Sequence, residues 1–415
     1  MNTNVRLYGQ LYDLSTFAHP GGNRLIKLLS TSPEPELLLE YYHTFGRIKP
    51  LLKRFKVDTG DESVNMPTNI HHTYENLRTF IRNRIGPQQL KKYREIDRWI
   101  HTLCLGLFVL VYLIILRGSW SLLCVGGFLY SFATSWYLHG NSHGIDFYGI
   151  AHIATLFSAV AVLPWEVEHV RTHHVYVNQI DRQHGDCTDP DIVLGTPFIR
   201  MSKHDPWYWW HAYQYLYFYP GVFVSGMFIV YVDLLNLIRG KFGTMSNHSI
   251  PFRRPFASEV MLQLLLKVGY LYIWIVLPSH LYPDRSIVQS IFRFSWLLMF
   301  GGIFTFFITT VSHFNSETVD EACDVHDIVL VQTNNTIDIH PGSDVMNFLT
   351  AGVNHQVVHH LFPGYPFSSY PKISLLLQEY WDILILDKNT KYRTLPTYSD
   401  AFRSQFQKLY DLSCE

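Results

Sequence analysis

Two apolar runs, Trp99–Leu116 and Ser119–Leu138, are separated only by Arg117-Gly118. A helix that crosses a bilayer needs about 20 mostly apolar residues, with a range of about 17–25. Each run can therefore cross, and the two residues between them leave room only for a tight hairpin. The chain returns to its starting side one residue before His139. Val260–Leu281, whose one charge is Lys267, and Phe294–Ser312 meet the same requirement. Phe147–Pro164 and Phe218–Ile238 are also long enough, but the first contains His152 and the second Asp233.

Charge flanks and parity decide between these. Lys91-Lys92-Tyr93-Arg94 and Arg98 precede the first crossing and belong in the cytosol by the positive-inside bias. The same bias places Arg239, Lys241, Arg253 and Arg254 there. Four crossings satisfy both constraints and keep the histidine-rich stretches after residues 138, 168 and 355 on one cytosolic face, with the two ambiguous segments lying in the interface or re-entering. The expected architecture is a mainly α membrane protein: about four transmembrane helices, interfacial helices and a cytosolic cap. The net charge of −1 favours no nucleic acid partner. Cys104, Cys124, Cys187, Cys323 and Cys414 are odd in number and form no CxxC pair, which fits reduced thiols on the cytosolic side.

The cap is where the histidines collect. Three clusters lie just past apolar stretches: His139-x3-His143, His169-x3-His173-His174, and Gln356-x2-His359-His360. Residues four apart share one helix face, so an HxxxH pair aims two imidazoles at one point, and an adjacent His adds a second direction. Imidazole suits iron, copper, zinc and nickel. A single such His is usually a satisfied polar residue; three clusters at ligand spacing point to a polynuclear metal centre at a membrane surface. His313 directly follows the last crossing, at the depth of the other clusters, and joins them as an eighth histidine.

At these residues the chain resembles the membrane fatty acid desaturases, and within them the front-end group that includes sphingolipid long-chain-base desaturases. The likeness runs from about Trp99 to the C-terminal region. It includes Asn178, Asp189-Pro190-Asp191-Ile192 and Thr196-Pro197 after the second box, and Asn354-His355-Gln356-Val357-Val358-His359-His360-Leu361-Phe362-Pro363 around the third. In that group a glutamine replaces the first histidine of the third box, and the second box is usually HxxHH, one residue tighter than here. The resemblance implies a di-iron centre on His139, His143, His169, His173, His174, His313, His359 and His360, with Gln356 as a second-shell or water-bridged partner. His355, in His355-x3-His359-His360, is the competing register.

It further implies O2-dependent removal of two hydrogens from a lipid acyl chain, carried on coenzyme A or a phospholipid. The new double bond would lie between an existing one and the carboxyl end. Sphingolipid bases as substrate, or hydroxylation in place of desaturation, are the close alternatives; a haem-binding membrane protein with an inactive metal centre is the non-enzymatic one. Trp165, Trp207, Trp209 and Trp210 read as interface anchors or walls of an acyl tunnel.

The N-terminus carries a second signature. Val5–Phe17 alternates in a β-rich pattern and leads to His19-Pro20-Gly21-Gly22, with His43 following 24 residues later. This resembles the cytochrome b5 domain, a small α+β module. The resemblance implies haem b between His19 and His43, with the turn at Pro20, Gly21 and Gly22 approaching the ring. Electrons would pass from NAD(P)H through a separate cytochrome b5 reductase; Glu34, Glu36 and Glu40 read either as a docking face for it or as a solvated helix face. The expected organisation is a haem domain over 1–57, a linker and amphipathic basic segment over 58–98, a desaturase domain over 99–395 and a C-terminal tail over 396–415. The basic segment would lie on anionic headgroups. With no cleavable signal peptide ahead of the haem-like module, the first crossing would act as the membrane signal. The implied location is the endoplasmic reticulum, with the N-terminus and active site in the cytosol.

Overall fold

The computed structural model describes residues 3–7, 10–19, 50–57, 70–143, 155–174, 197–239, 257–318, 328–384 and 392–414, with single positions between them; structural statements below concern the described residues. Strands β1 (Asn4–Leu7) and β2 (Gln10–Asp13) pair antiparallel, with Leu7 opposite Gln10. Period-two alternation turns Val5, Leu7 and Tyr12 inward, where they join Leu14, Ile26, Leu29, Leu39 and Leu52 in a separate small core. His19 lies edge-on to Phe17, with ring centroids 5.8 Å apart. Pro20, Gly21, Gly22, Glu34, Glu36, Glu40 and His43 lie outside the described residues.

Helix α1 (Ile70–Ile85) buries Leu77, Ile81 and Ile85, spaced four apart on one face. That face packs on protein: Phe80 meets Tyr380 at 5.3 Å, Arg84 pairs with Glu379 at 2.8 Å, and Tyr74 Oη donates to the Leu361 carbonyl at 2.6 Å. The apolar stripe of α1 thus docks the helix onto the cap. Helix α2 (Pro87–Arg117) carries the basic run straight into the first crossing. Helix α3 (Trp120–Thr134) starts where Ser119 Oγ accepts from the Leu122 amide, and continues through a π-helical turn, Ser135–His139, and a last turn, Gly140–Ser142. Residues 155–161 are irregular and lead into α4 (Val162–Trp165), which runs on as the π-helical Glu166–His173. Then come α5 (Gln214–Arg239), α6 (Ala257–Leu271, extended by Tyr272–Val276 and Leu277–Leu281) and α7 (Ile287–His313).

Five helices are long and apolar enough to cross a membrane, against the four expected. The addition is Trp209–Arg239, which contains the ambiguous Phe218–Ile238. Its deterrent was Asp233, and that carboxylate is buried in an ion pair with Lys267 at 2.6 Å. Pairing is how charge persists at such depth. Both ends of α5 nonetheless reach chain near the histidines: Gln214 Nε2 donates to the Leu409 carbonyl, and Asn236 Nδ2 to Glu168 Oε1. Helices α3, α5 and α7 pack through small residues. A Cβ on Gly127 would lie 2.6 Å from the Leu297 carbonyl oxygen, and one on Gly226 2.2 Å from that of Leu298, so neither position has room for a larger side chain.

The rest forms the cap: α8 (Ile328–Asn335), β3 (Asp338–Ile339), α9 (Asp344–Thr350), α10 (Gln356–Leu361), α11 (Tyr370–Leu384), β4 (Thr394–Leu395) and α12 (Tyr398–Asp411). Strands β3 and β4 are parallel. The segment expected as a tail is therefore an ordered helix. Ala401, Gln405, Lys408 and Leu409 of α12 are buried, and Phe402 lies against Tyr219 of α5 and Phe307 of α7.

Candidate metal centre

Each histidine cluster occupies a helix end, and the local winding sets where its rings point. In the second box the His174 amide donates to the His169 carbonyl five residues back, at 3.3 Å, which is π-helical bonding. A π turn advances about 80° per residue against about 100° in an α-helix, so residues four and five ahead of His169 fall about 40° to either side of it. An α-helical HxxHH box places its rings in nearly the same fan. The extra residue in His169-x3-His173-His174 is absorbed by the winding. Box one begins at His139, the last residue of a π turn, Ser135–His139.

The third box begins at Gln356, the first residue of α10. Asp338, remote in sequence, caps it: Oδ1 accepts from the Val357 amide at 2.7 Å, and Oδ2 from Tyr392 Oη at 2.5 Å. Burial pushes the Asp338 carboxyl up to about 7. His355 stands outside the helix, with φ −106° and ψ 60°. Its Nε2 accepts from the Gly342 amide at 3.2 Å, and its Nδ1 lies 3.2 Å from Asn347 Oδ1. Both ring nitrogens of His355 are committed to protein.

The eight expected histidines converge. His139, His143, His169 and His359 form one group with ligand atoms all within 4.8 Å of one another, and His173, His313 and His360 form a second. His174 stands between, its ring 4.6 Å from His143, 4.5 Å from His359 and 4.3 Å from His360. Gln356 Nε2 lies 2.7 Å from His313 Nε2, on the second group. Burial, followed by repulsion from neighbouring rings, holds His143, His169, His174, His359 and His360 well below the usual imidazole range. They are neutral at pH 7, as a metal ligand must be.

The donor set fits metal ions. His139 Nε2 and His359 Nε2 are 3.0 Å apart, and His169 Nε2 and His174 Nε2 are 3.3 Å apart. Two bonds of about 2.1 Å meeting at a right angle place their nitrogens about 3.0 Å apart. His143 Nε2, His360 Nε2 and Gln356 Oε1 are buried without a hydrogen-bond partner among the described residues, a costly state that an ion would relieve.

Several residues that support these rings were not singled out for that role in the sequence. Both carboxylate oxygens of Asp189 lie 3.0 Å from His173 Nδ1. Gln332 Oε1 lies 2.8 Å from His360 Nδ1, while Gln332 Nε2 donates to the His174 carbonyl. Both acceptors fix the proton on Nδ1 and leave Nε2 with its lone pair. Tyr370 Oη lies 3.3 Å from His359 Nδ1. Trp165, expected as an interface anchor or tunnel wall, stacks on His169 at 4.3 Å and meets His139 edge-on at 5.9 Å. Trp207 and Trp210 instead donate to the Ser413 and Pro197 carbonyls, and Trp209 is exposed. Asp189 was legible as part of a family segment. The roles of Gln332 and Tyr370 had no local signal, because their partners are 28 and 11 residues away.

Comparison with known proteins agrees with this site. The chain is 25% identical over 414 residues to the acyl-lipid (7-3)-desaturase of Diacronema lutheri, covering 96% of this chain and 88% of the relative. It is 24% identical to the Delta(5) fatty acid desaturase A of Dictyostelium discoideum, covering 98% and 90%, and 24% identical to the acyl-lipid (8-3)-desaturase of Mortierella alpina, covering 98% and 92%. The profile described as "Fatty acid desaturase" matches residues 117–384, a stretch that holds all three histidine clusters and His313. The chain belongs to the fatty acid desaturase family.

Proposed function

We propose that this enzyme desaturates a lipid acyl chain on the carboxyl side of an existing double bond, using two irons held by the two histidine groups. The observation that carries this is the convergence of eight histidines and Gln356 into two adjacent, largely buried groups. His139, His143, His169 and His359 would hold one iron, and His173, His313 and His360 with Gln356 the other, His174 standing between them. Gln356 is favoured over His355 because both His355 nitrogens are already engaged. Bound there, iron supplies the activation of O2 that cleavage of an unactivated C–H bond demands.

The protein's own contribution is orientation and exclusion. Asp189 and Gln332 hold two rings in the ligating tautomer. Trp165 and Phe367 line the first group, Phe367 lying 5.1 Å from His139 and 5.6 Å from His359, and their faces keep water away. The apolar helices below the cap provide surroundings in which a hydrocarbon chain can lie. The N-terminal module over 1–57, which contains β1 and β2, we assign to haem b with His19 and His43 as axial ligands, fed by a cytochrome b5 reductase at the endoplasmic reticulum. The relatives' names favour an acyl-lipid substrate over a sphingolipid base.

The test is lipid analysis by gas chromatography–mass spectrometry after expression in yeast fed linoleic, α-linolenic and C20 polyunsaturated acids. The His359→Ala/His360→Ala variant serves as the control. New double bonds on the carboxyl side, absent in the control, are the expected result. Hydroxylated chains, or products confined to sphingolipid bases, would replace this reading with one of its alternatives.

A further inference from the structure

Residues 155–161 have neither helix nor strand to satisfy their backbone, yet they pack among the middles of α2, α3 and α6. Phe157 stacks on Phe108 at 5.4 Å, and Trp274 Nε1 donates to the Leu156 carbonyl at 3.1 Å. At this depth irregular backbone survives only where protein groups replace water. Some of that service is local: Ser158 Oγ accepts from the Val160 amide, and Thr155 Oγ1 from the Val162 amide while donating to Gln263 Oε1. At the end of the turn it comes from two opposite charges. Lys267 Nζ donates to the Ala159 carbonyl, and Asp233 Oδ1 accepts from the Ala161 amide at 2.9 Å. Lys267 is fully buried and Asp233 is 4% exposed.

Ala161 is the residue before α4, whose π turn carries His169, His173 and His174. Three residues beyond Asp233, Asn236 holds Glu168, the neighbour of His169, at 2.9 Å. We propose that the Lys267–Asp233 pair is a positioning device for the second histidine box: it fixes the start of α4, and through it the stance of three imidazoles. The proposal rests on the metal-centre reading above. Its polarity is specific. The carbonyl of Ala159 needs a donor and the amide of Ala161 an acceptor, so the pair works in one orientation. A pair that only stapled α5 to α6 would work in either.

The experiment compares purified full-length variants in detergent by hydrogen–deuterium exchange of the 159–165 peptide, iron per chain, and kcat and KM. Lys267→Met is expected to speed exchange at least about tenfold, lower the iron content and cut kcat about 10–100-fold, with KM within about twofold. Asp233→Asn with Lys267→Gln keeps an acceptor and a donor without charges, and is expected to stay within about threefold of the parent in exchange and kcat. Asp233→Lys with Lys267→Asp keeps both charges but reverses their polarity, and is expected to match Lys267→Met. A reversed pair that behaves like the parent overturns the proposal. So does a neutral pair as damaged or as poorly recovered as Lys267→Met. Should Lys267→Met not accumulate, the two double variants decide. A parent chain that binds no iron would sink the metal reading while leaving the exchange pattern to judge the clamp.

Discussion

At the scale of single residues, the centre depends on what each ring does with its second nitrogen. Gln332 spans two boxes, its Oε1 accepting from His360 Nδ1 and its Nε2 donating to the His174 carbonyl. Gln332→Leu should lower iron retention and turnover about 10–100-fold, as losses of such partners do, with protein yield little changed. Iron analysis after dialysis against a weak chelator would check this. His355 and Gln356 are neighbours with opposite expectations. Gln356→Leu should lose iron, whereas His355→Gln should keep it. His355 also predicts a pH effect. Burial pushes its ring down to about 3, and both nitrogens are engaged as a neutral ring requires. The unfolded chain takes up this proton near pH 6.5. Below that, each pH unit favours the unfolded chain by about 1.4 kcal/mol until the folded ring titrates; above it the effect vanishes. Unfolding midpoints of the metal-free protein, measured between about pH 6 and pH 4, should fall less steeply in His355→Gln than in the parent.

At the scale of elements, winding decides what spacing means. All eight histidines were legible from the sequence, since three boxes past apolar runs, with His313 after another, repeat one pattern. The π turn that accommodates the wider second box was not legible, because the sequence shows spacing and not the rise and twist that convert spacing to direction. Deleting Val170 would leave His-x2-His-His in an α-helical turn with nearly the same fan of rings. That variant should retain iron and at least about a tenth of the parent's turnover, whereas inserting a second extra residue there should abolish both. Circular dichroism and iron content together would distinguish a rewound box from a broken one. The cap on α10 was equally hidden. Asp338 sits beside His355 only because β3 folds back on the third box, and no local pattern marks a cap supplied from 19 residues away.

At the scale of the whole molecule, the apolar runs located four of the five long helices, and the fifth was discounted for a charge whose partner lies in another helix. Pairing between distant segments is what a run-by-run reading misses. It also missed Arg285 and Arg293, which reach the Ile114, Ile115, Leu116 and Gly118 carbonyls and so cap the end of α2 from α7 and the loop before it. The N-terminal module carries its own prediction. The purified protein should show a Soret band that His19→Ala or His43→Ala each removes, while iron bound at the histidine boxes stays.

The cap from Asp338 to α10 has a consequence in time. Tyr392, which holds the other oxygen of that carboxylate, is synthesised 249 residues after His143. At about 5–20 residues per second, that is a delay of about 12–50 s. Within it, until His359 follows 190 residues after His169, the imidazoles of His139, His143 and His169 would stand at the membrane surface without their fourth partner, a three-histidine set of the kind that holds zinc. The emerging chain therefore passes through a window in which the wrong metal can arrive first. Cells grown in excess zinc should yield protein of normal amount and low activity, its deficit matched by bound zinc.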